Sequence, residues 1–254
     1  MTRQLISLII IFITILSAEC QKKSRPNKLL TLETENETEG QLLFESTNTP
    51  SQYVDLLGAA APFALIGGST TTGAGGMTTV NGSVGSFPGT SITGLINIVN
   101  GSVHAGDPVS QQAQVDIKYA YDTIKDKCGA QDMSGQELGG LTLVPGTYKF
   151  LSSCALTSGT LTLNGEGNAD AKWYFQIGST LITGPYSNVV MTNSGSPFNV
   201  YWQVGSSATI SGITMKGNIL AQFSVTLGPY LDLKGRAIAR GAALTFTAGT
   251  ISIQ

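Results

Sequence analysis

The sequence predicts a mostly β protein: a β-solenoid with one long α-helix packed along a face. Three observations carry that prediction. Beyond about Tyr53 the chain is a succession of short β-type runs broken by glycine, proline and Asn-Gly corners. Near the end, "ATI" at 208–210, "VTL" at 225–227 and "LTF" at 244–246 open similar segments 17 and 19 residues apart. Further back, "WYFQIGS" from Trp173 and "VYWQVGS" from Val200 are near copies, an internal repeat. Three short strands with their corners take about 17–20 residues, so each return reads as one coil of a stack.

In such a stack, coils lie about 4.8 Å apart and equivalent residues form ladders. Ile210, Leu227 and Phe246 then share an interior column, with Ile219, Ala221 and Ile238 in a second, while the alternate side chains point outward. A β-sandwich also has many short strands. The long helix and the regular returns favour the solenoid.

The helix is the clearest single element. Asp107 is a natural N-cap and Pro108 suits the first helical position. Val109, Ala113, Ile117, Ala120 and Ile124 recur at spacings of three and four, one apolar stripe that needs a surface to cover it. Lys125 and Lys127 suit the negative end of the helix dipole, and Gly129 ends the element.

The start of the chain belongs to export rather than to the fold. "MTRQ" and the apolar run "LISLIIIFITIL", followed by Ser17, Ala18 and Cys20, read as a secretory signal peptide over residues 1–20. The run is too short for a spanning helix. Residues 21–50 are polar, pass from basic to acidic and hold no apolar period, which predicts a flexible linker. The remaining 51–254 form one domain. An extracellular location follows, with no membrane partner once the leader is removed. The pair Cys128 and Cys154 is then expected as a disulfide, two buried thiols being the alternative. Asn36, Asn81 and Asn100 open glycosylation triplets.

Composition narrows the function. Charged residues are 12% of the 254 and the net charge is -2, which offers nothing to nucleic acid. A lone histidine, His104, sits just before the helix cap and reads as a loop or cap residue. Neither a nucleophile elbow nor a zinc spacing is present. Glu166 and Asp170 lie in "NGEGNAD", which reads as a solvated turn rather than a calcium loop. Arg236 and Arg240 read as solvent-facing, and no carboxylate pair for glycoside chemistry assembles. Tyr174, Phe175, Tyr201 and Trp202 read as core or cross-strand pairs ahead of a sugar platform. The expectation is therefore a binding protein without catalytic residues, metal or cofactor. Its partner is flat and repetitive like its own surface, either crystalline ice or a polysaccharide.

Several segments, in order, resemble the microbial ice-binding proteins: "APFALIGGSTTT", "GSVHAGDPVSQQAQVDIKYAYDTI", "ELGGLTLVPGTYKF", "TLTLNGEGNADAKWYFQIGSTL", "NVYWQVGSSATI" and "GRAIARGAALT". The resemblance runs from about Tyr53 to Gln254. It implies a discontinuous right-handed β-helix with a long helix alongside, secretion, adsorption to ice, thermal hysteresis and inhibition of ice recrystallisation. It also implies a flat ice face, in some members marked by Thr, then Ala or Gly, any residue, then Thr or Asn. Here "TAGT" at 247–250 fits, "SGIT" at 211–214 nearly fits, and "TGPY" at 183–186 and "LGPY" at 227–230 depart from it. Stacking these stretches, with Leu227 kept inside, gives the expected ice ladder: Thr183, Tyr186, Ser211, Thr214, Tyr230, Thr247 and Thr250. The protein is expected to act as a monomer. A secreted carbohydrate-binding or adhesive solenoid, using Tyr186 and Tyr230, is the alternative.

Overall fold

The computed structural model describes residues 55–254. The expected signal peptide, the expected linker and Asn36 lie outside the described residues. Within them the chain is a three-faced stack of parallel strands with an α-helix, α1 (Pro108–Lys125), along one face.

The stack is discontinuous in sequence. Its first face, against α1, runs through Gly146–Phe150, Trp173–Ile177, Val200–Val204 and the later parts of Thr214–Ala221 and Leu231–Ala239. Beyond the last of these the next strand in space is Phe63–Gly67, from the other end of the described chain, followed by Ser83–Ser86 and Val103–Ala105. The other two faces cross the same seam, where Leu244–Phe246 pairs with Thr70–Gly73 and Gly249–Ser252 with Thr78–Asn81. α1 links the two parts. It leaves the stack after Val103–Ala105, returns along the first face and delivers the chain to Gln131–Asp132 at the far end.

Each expected ladder can be checked against this register. Thr209, Thr226 and Thr245 stack directly, and so do Ile210, Leu227 and Phe246, which are fully buried. The near copies pair residue for residue, Trp173 with Val200 and Phe175 with Trp202. The ring planes of Phe175 and Trp202 stack at 3.9 Å in the interior, while Tyr174 and Tyr201 stack at 5.4 Å on the helix side. All four are therefore core or cross-strand aromatics. Interior indoles keep their donors satisfied, Trp173 Nε1 by the Leu143 carbonyl and Trp202 Nε1 by that of Lys216.

Ile238 departs from the expected interior column. It pairs with Leu220 and faces α1, while Ala237 takes the interior place opposite Ile219. A phase error of one residue moves a strand side chain to the other face. Room inside the coil is limited at this level, and the large side chain goes to the helix interface. Two strands, Thr214–Ala221 and Leu231–Ala239, turn a corner without a break. Gly217 and Gly235 stack at that corner with φ of +113° and +142°, and a Cβ on Gly235 would fall 2.0 Å from the Gly217 carbonyl oxygen.

α1 begins as expected. The Asp107 side chain accepts from the Ser110 N–H at 2.8 Å and the Ser110 hydroxyl accepts from the Asp107 N–H, a reciprocal capping box. His104 adds a contact of 2.8 Å from Nδ1 to Asp107 Oδ2 and packs near the Phe63 ring. Ala113, Ile117, Ala120, Tyr121 and Ile124 are buried against Phe63, Ile66, Tyr201, Leu220 and Ile238. Val109 is exposed, so the stripe begins one turn later than the spacing indicates, and Tyr121 joins it. The helix ends at Lys125.

Two further expectations fail for identifiable reasons. Cys154 is a free, fully buried thiol, so the Cys128–Cys154 disulfide does not form. Strand alternation turns Cys154 into the core opposite Leu181, whereas Cys128 lies exposed after the helix end. Arg236 and Arg240 do not face solvent. Arg236 is buried, donating through Nε to the Ala61 carbonyl at 3.0 Å and through Nη1 to Asn218 Oδ1 at 2.8 Å. Arg240 donates to Gln222 and lies over the Tyr121 ring at 4.4 Å. Both sit beneath the helix and its leading segment, where backbone carbonyls and aromatic rings need a partner.

Candidate functional site

With α1 on the first face, two faces of the stack meet solvent. They differ in chemistry, and the strand alternation decides what each presents.

One face is built from Cys154–Asn164, Leu181–Thr192, Ala208–Ile210, Val225–Leu227, Leu244–Phe246, Thr70–Gly73 and Ser91–Thr93. The first two contribute only their opening residues. Inward positions are apolar almost throughout, Cys154, Leu181, Ala208, Val225 and Leu244, ending in Thr71 and Ile92. The outward column reads Ala155, Ile182, Thr209, Thr226, Thr245, Thr72 and Thr93, one residue per coil. At about 4.8 Å per coil it is a straight row about 29 Å long. A second outward row carries Ser153, Thr180, Ser207, Ser224, Ala243, Thr70 and Ser91, with hydroxyl contacts of 2.8 Å (Ser153 to Thr180) and 2.9 Å (Ser224 to Ser207). Neither row holds a titratable side chain over these seven coils, and beyond them the exposed Glu137 pairs with Ala155 at the far end. The five threonines run unbroken through the seam, because Thr245 of the last coil pairs with Thr72 of the first.

The other open face presents Thr160, Asn188, Thr214, Asp232, Thr250, Thr79 and Asn97 in one outward column. The next outward column carries Lys216 and Lys234, and Lys216 lies 3.6 Å from Asp232. This face is charged at its centre.

The sequence-predicted residues fall across the corner between these faces. Ser211 and Thr247 lie on the threonine side of the corner, where Gly228 separates them. Thr214 and Thr250 share a column on the charged face with Asp232 between them. Tyr186 and Tyr230 stand on the corner itself, 77% and 84% exposed. Thr183 does not belong to any exposed ladder. It is 4% exposed, pairs with interior Ile210, and its Oγ1 accepts from the N–H groups of Ser211 and Gly212 at 3.0 and 3.2 Å. Ordinary strand alternation, with Leu181 inward and Ile182 outward, turns the threonine inward, and the one-residue register shift of Gly184-Pro185 against Thr157 follows it. The expected set is thus not one surface. The row that motif reading missed is Thr209, Thr226, Thr245, Thr72 and Thr93. Its signal was the central Thr of the repeated "ATI", "VTL" and "LTF", which alternation places outward.

A long helix beside a seam-crossing β-solenoid with one flat, hydroxyl-bearing face whose central rows are uncharged defines a surface-binding protein of the ice-binding class. Residues 65–252 match the family model described as ice-binding-like. An ice-binding protein of Nostoc sp. (strain HG1) is 43% identical over 209 residues, covering 81% of this chain and 77% of the relative. The crystal structure of an ice-binding protein from an Antarctic biological consortium superposes with a TM-score of 0.73 at 36% identity, covering 87% of this chain and 95% of that one. That of the Antarctic ascomycete Antarctomyces psychrotrophicus gives the same TM-score at 34% identity, covering 79% and 98%. The chain belongs to the ice-binding-like family.

Proposed function

We propose that the protein adsorbs to ice through the threonine face, with Thr209, Thr226, Thr245, Thr72 and Thr93 at its centre. The carrying observation is that this row is straight, in register across the seam and free of charge. A charged group holds water in its own geometry, which conflicts with a crystalline lattice. A threonine hydroxyl anchors a water, and its methyl lets neighbouring water order without competing bonds. Repeated at coil spacing, the pair offers a template to a crystal face and none to bulk liquid. Adsorbed molecules pin the growing surface, which gives thermal hysteresis and slows recrystallisation. No catalytic group or metal is needed. Export by residues 1–20, sugar chains on Asn36, Asn81 or Asn100, and action as a monomer belong to the same reading.

The test compares two faces. Thr226→Tyr and Thr245→Tyr raise bulky side chains in the middle of the row, whereas Thr214→Tyr and Thr250→Tyr do so on the charged face. All four positions have outward side chains. The first pair should abolish most hysteresis and recrystallisation inhibition at unchanged melting temperature, and the second pair should leave both nearly intact. The reverse result would move the site to the charged face. A wild-type protein excluded from a growing ice hemisphere would overturn ice binding altogether.

A further inference from the structure

The corner between the two open faces carries a feature that ice adsorption does not use. The triplet Gly-Pro-Tyr occurs twice, at 184–186 and 228–230. Both tyrosines occupy the same place in their coils, two residues ahead of Asn188 and Asp232, which share a column through Thr214. The coil between them is one residue shorter at this corner and exposes Ile213 there, and Ser158 and Ala248 hold the places on either side. The two rings are thus two coils apart, about 9.5 Å of backbone separation, with the half-exposed Ile213 side chain between them.

Neither ring is part of the fold's packing. They are the two most exposed large hydrophobic side chains among the described residues. Tyr230 also keeps φ at +62°, a left-handed conformation that glycine or asparagine adopts more readily. An aromatic residue held strained and outward points to a contact with something outside the chain. Beside the rings, one strand step away on the same outward side, run Asn188, Thr214 and Asp232. The Thr214 hydroxyl donates to Asn188 Oδ1 at 3.3 Å, which leaves the Asn188 amide donors to solvent. Lys216 and Lys234 follow one further step away.

We propose that this corner is a second binding site, for a β-1,4-linked polysaccharide chain lying along the solenoid axis. In such a chain alternate sugar rings present the same face, so platforms should recur once per disaccharide. The two-coil interval of the tyrosines fits that repeat, and the half-exposed Ile213 offers an apolar contact to the intervening ring. Sugar C–H faces stack on tyrosine rings, and Asn188 and Asp232 are placed for the equatorial hydroxyls. The site is distinct from the threonine rows and would hold an ice-adsorbing protein on a wall or matrix glycan.

The experiment uses the mature protein with insoluble cellulose and chitin for retention, and cellohexaose and chitohexaose for titration. The wild type should be retained on at least one of the two solids and bind its hexasaccharide. Tyr186→Ala and Tyr230→Ala should each weaken binding about tenfold, the scale of losing one aromatic anchor, and the double variant should abolish it. Tyr230→Phe should keep it. Tyr230→Gly should raise the melting temperature while losing the glycan, which a structural tyrosine would not do. Hysteresis should survive in every variant. Absence of wild-type binding to both glycans, or a double variant that binds as well as wild type, overturns the proposal. Loss of hysteresis in the tyrosine variants, with no glycan affinity in the wild type, would instead assign the corner to the ice surface.

Discussion

At the scale of single residues, strand alternation outweighs sequence-level pairing rules. An even count of cysteines in an exported chain favours a bridge, yet Cys154 lies on a strand position whose side chain points inward. Burial pushes its thiol well above the usual cysteine range. The peptide bearing Cys154 should therefore resist iodoacetamide in the folded protein and label fully once unfolded, as read by mass spectrometry; rapid labelling of the native state would contradict the burial. Asp107 shows the opposite shift. The Ser110 N–H chiefly, with His104 and the Ser110 hydroxyl, holds its carboxyl down at about 2, against an ordinary 3.8. A carboxylate with a lowered folded pKa contributes fully above its unfolded value and loses that contribution as the pH falls. The cap should thus hold at pH 4 and above and fade towards pH 2. Asp107→Ala should cost about 1 kcal/mol at neutral pH, seen as a lower melting temperature. Asp107→Asn, which still caps, should flatten the acid limb of the melting curve.

At the scale of elements, periodicity was legible and phase was not. The helix, its cap and most of its buried stripe follow from spacing alone, because an apolar face repeating at three and four residues has one stable orientation. The stacking of Thr209, Thr226 and Thr245 was equally plain. Reading the corners was harder. Strand alternation after Leu181 turns Thr183 inward although it opens a corner motif, and a one-residue phase error placed Ile238 inside when it faces the helix. Nothing in composition marks such a phase, since corner residues look alike whichever way they turn. The helix interface offers a direct check. Ile117 is fully buried between Leu57, Phe63 and the strand residues beneath. Ile117→Asp should destabilise the fold by roughly 3–5 kcal/mol through an unpaired buried charge, measured by denaturant unfolding. Val109→Asp, at the exposed position of the same stripe, should change stability by less than about 0.5 kcal/mol.

At the scale of the whole molecule, the seam decides what the protein can present. The threonine row draws on both ends of the described chain, with Thr72 and Thr93 before α1 and Thr209, Thr226 and Thr245 after it. No reading confined to the C-terminal repeat could have extended the row, because Thr72 becomes a neighbour of Thr245 only after α1 has carried the chain back along the stack. The charges of the described residues are partitioned by the same architecture. Lys118 pairs with Asp122 on the helix and Lys216 with Asp232 on the charged face, arginines are held beneath the helix and its leading segment, and the threonine rows carry none between Ala155 and Thr93, with Glu137 at their far end. An adsorbing threonine row without titratable groups should not respond to protonation. Recrystallisation inhibition, measured at matched osmolality, should stay constant between pH 5 and 9. Adsorption through the charged face would behave differently, because lysines and a carboxylate would keep their hydration shells at the crystal surface and neutralising them would change the fit. Asp232→Asn with Lys216→Gln separates the cases: activity should be unchanged if the threonine face meets the ice, whereas a gain of activity in that variant would place Asp232 and Lys216 at the ice surface.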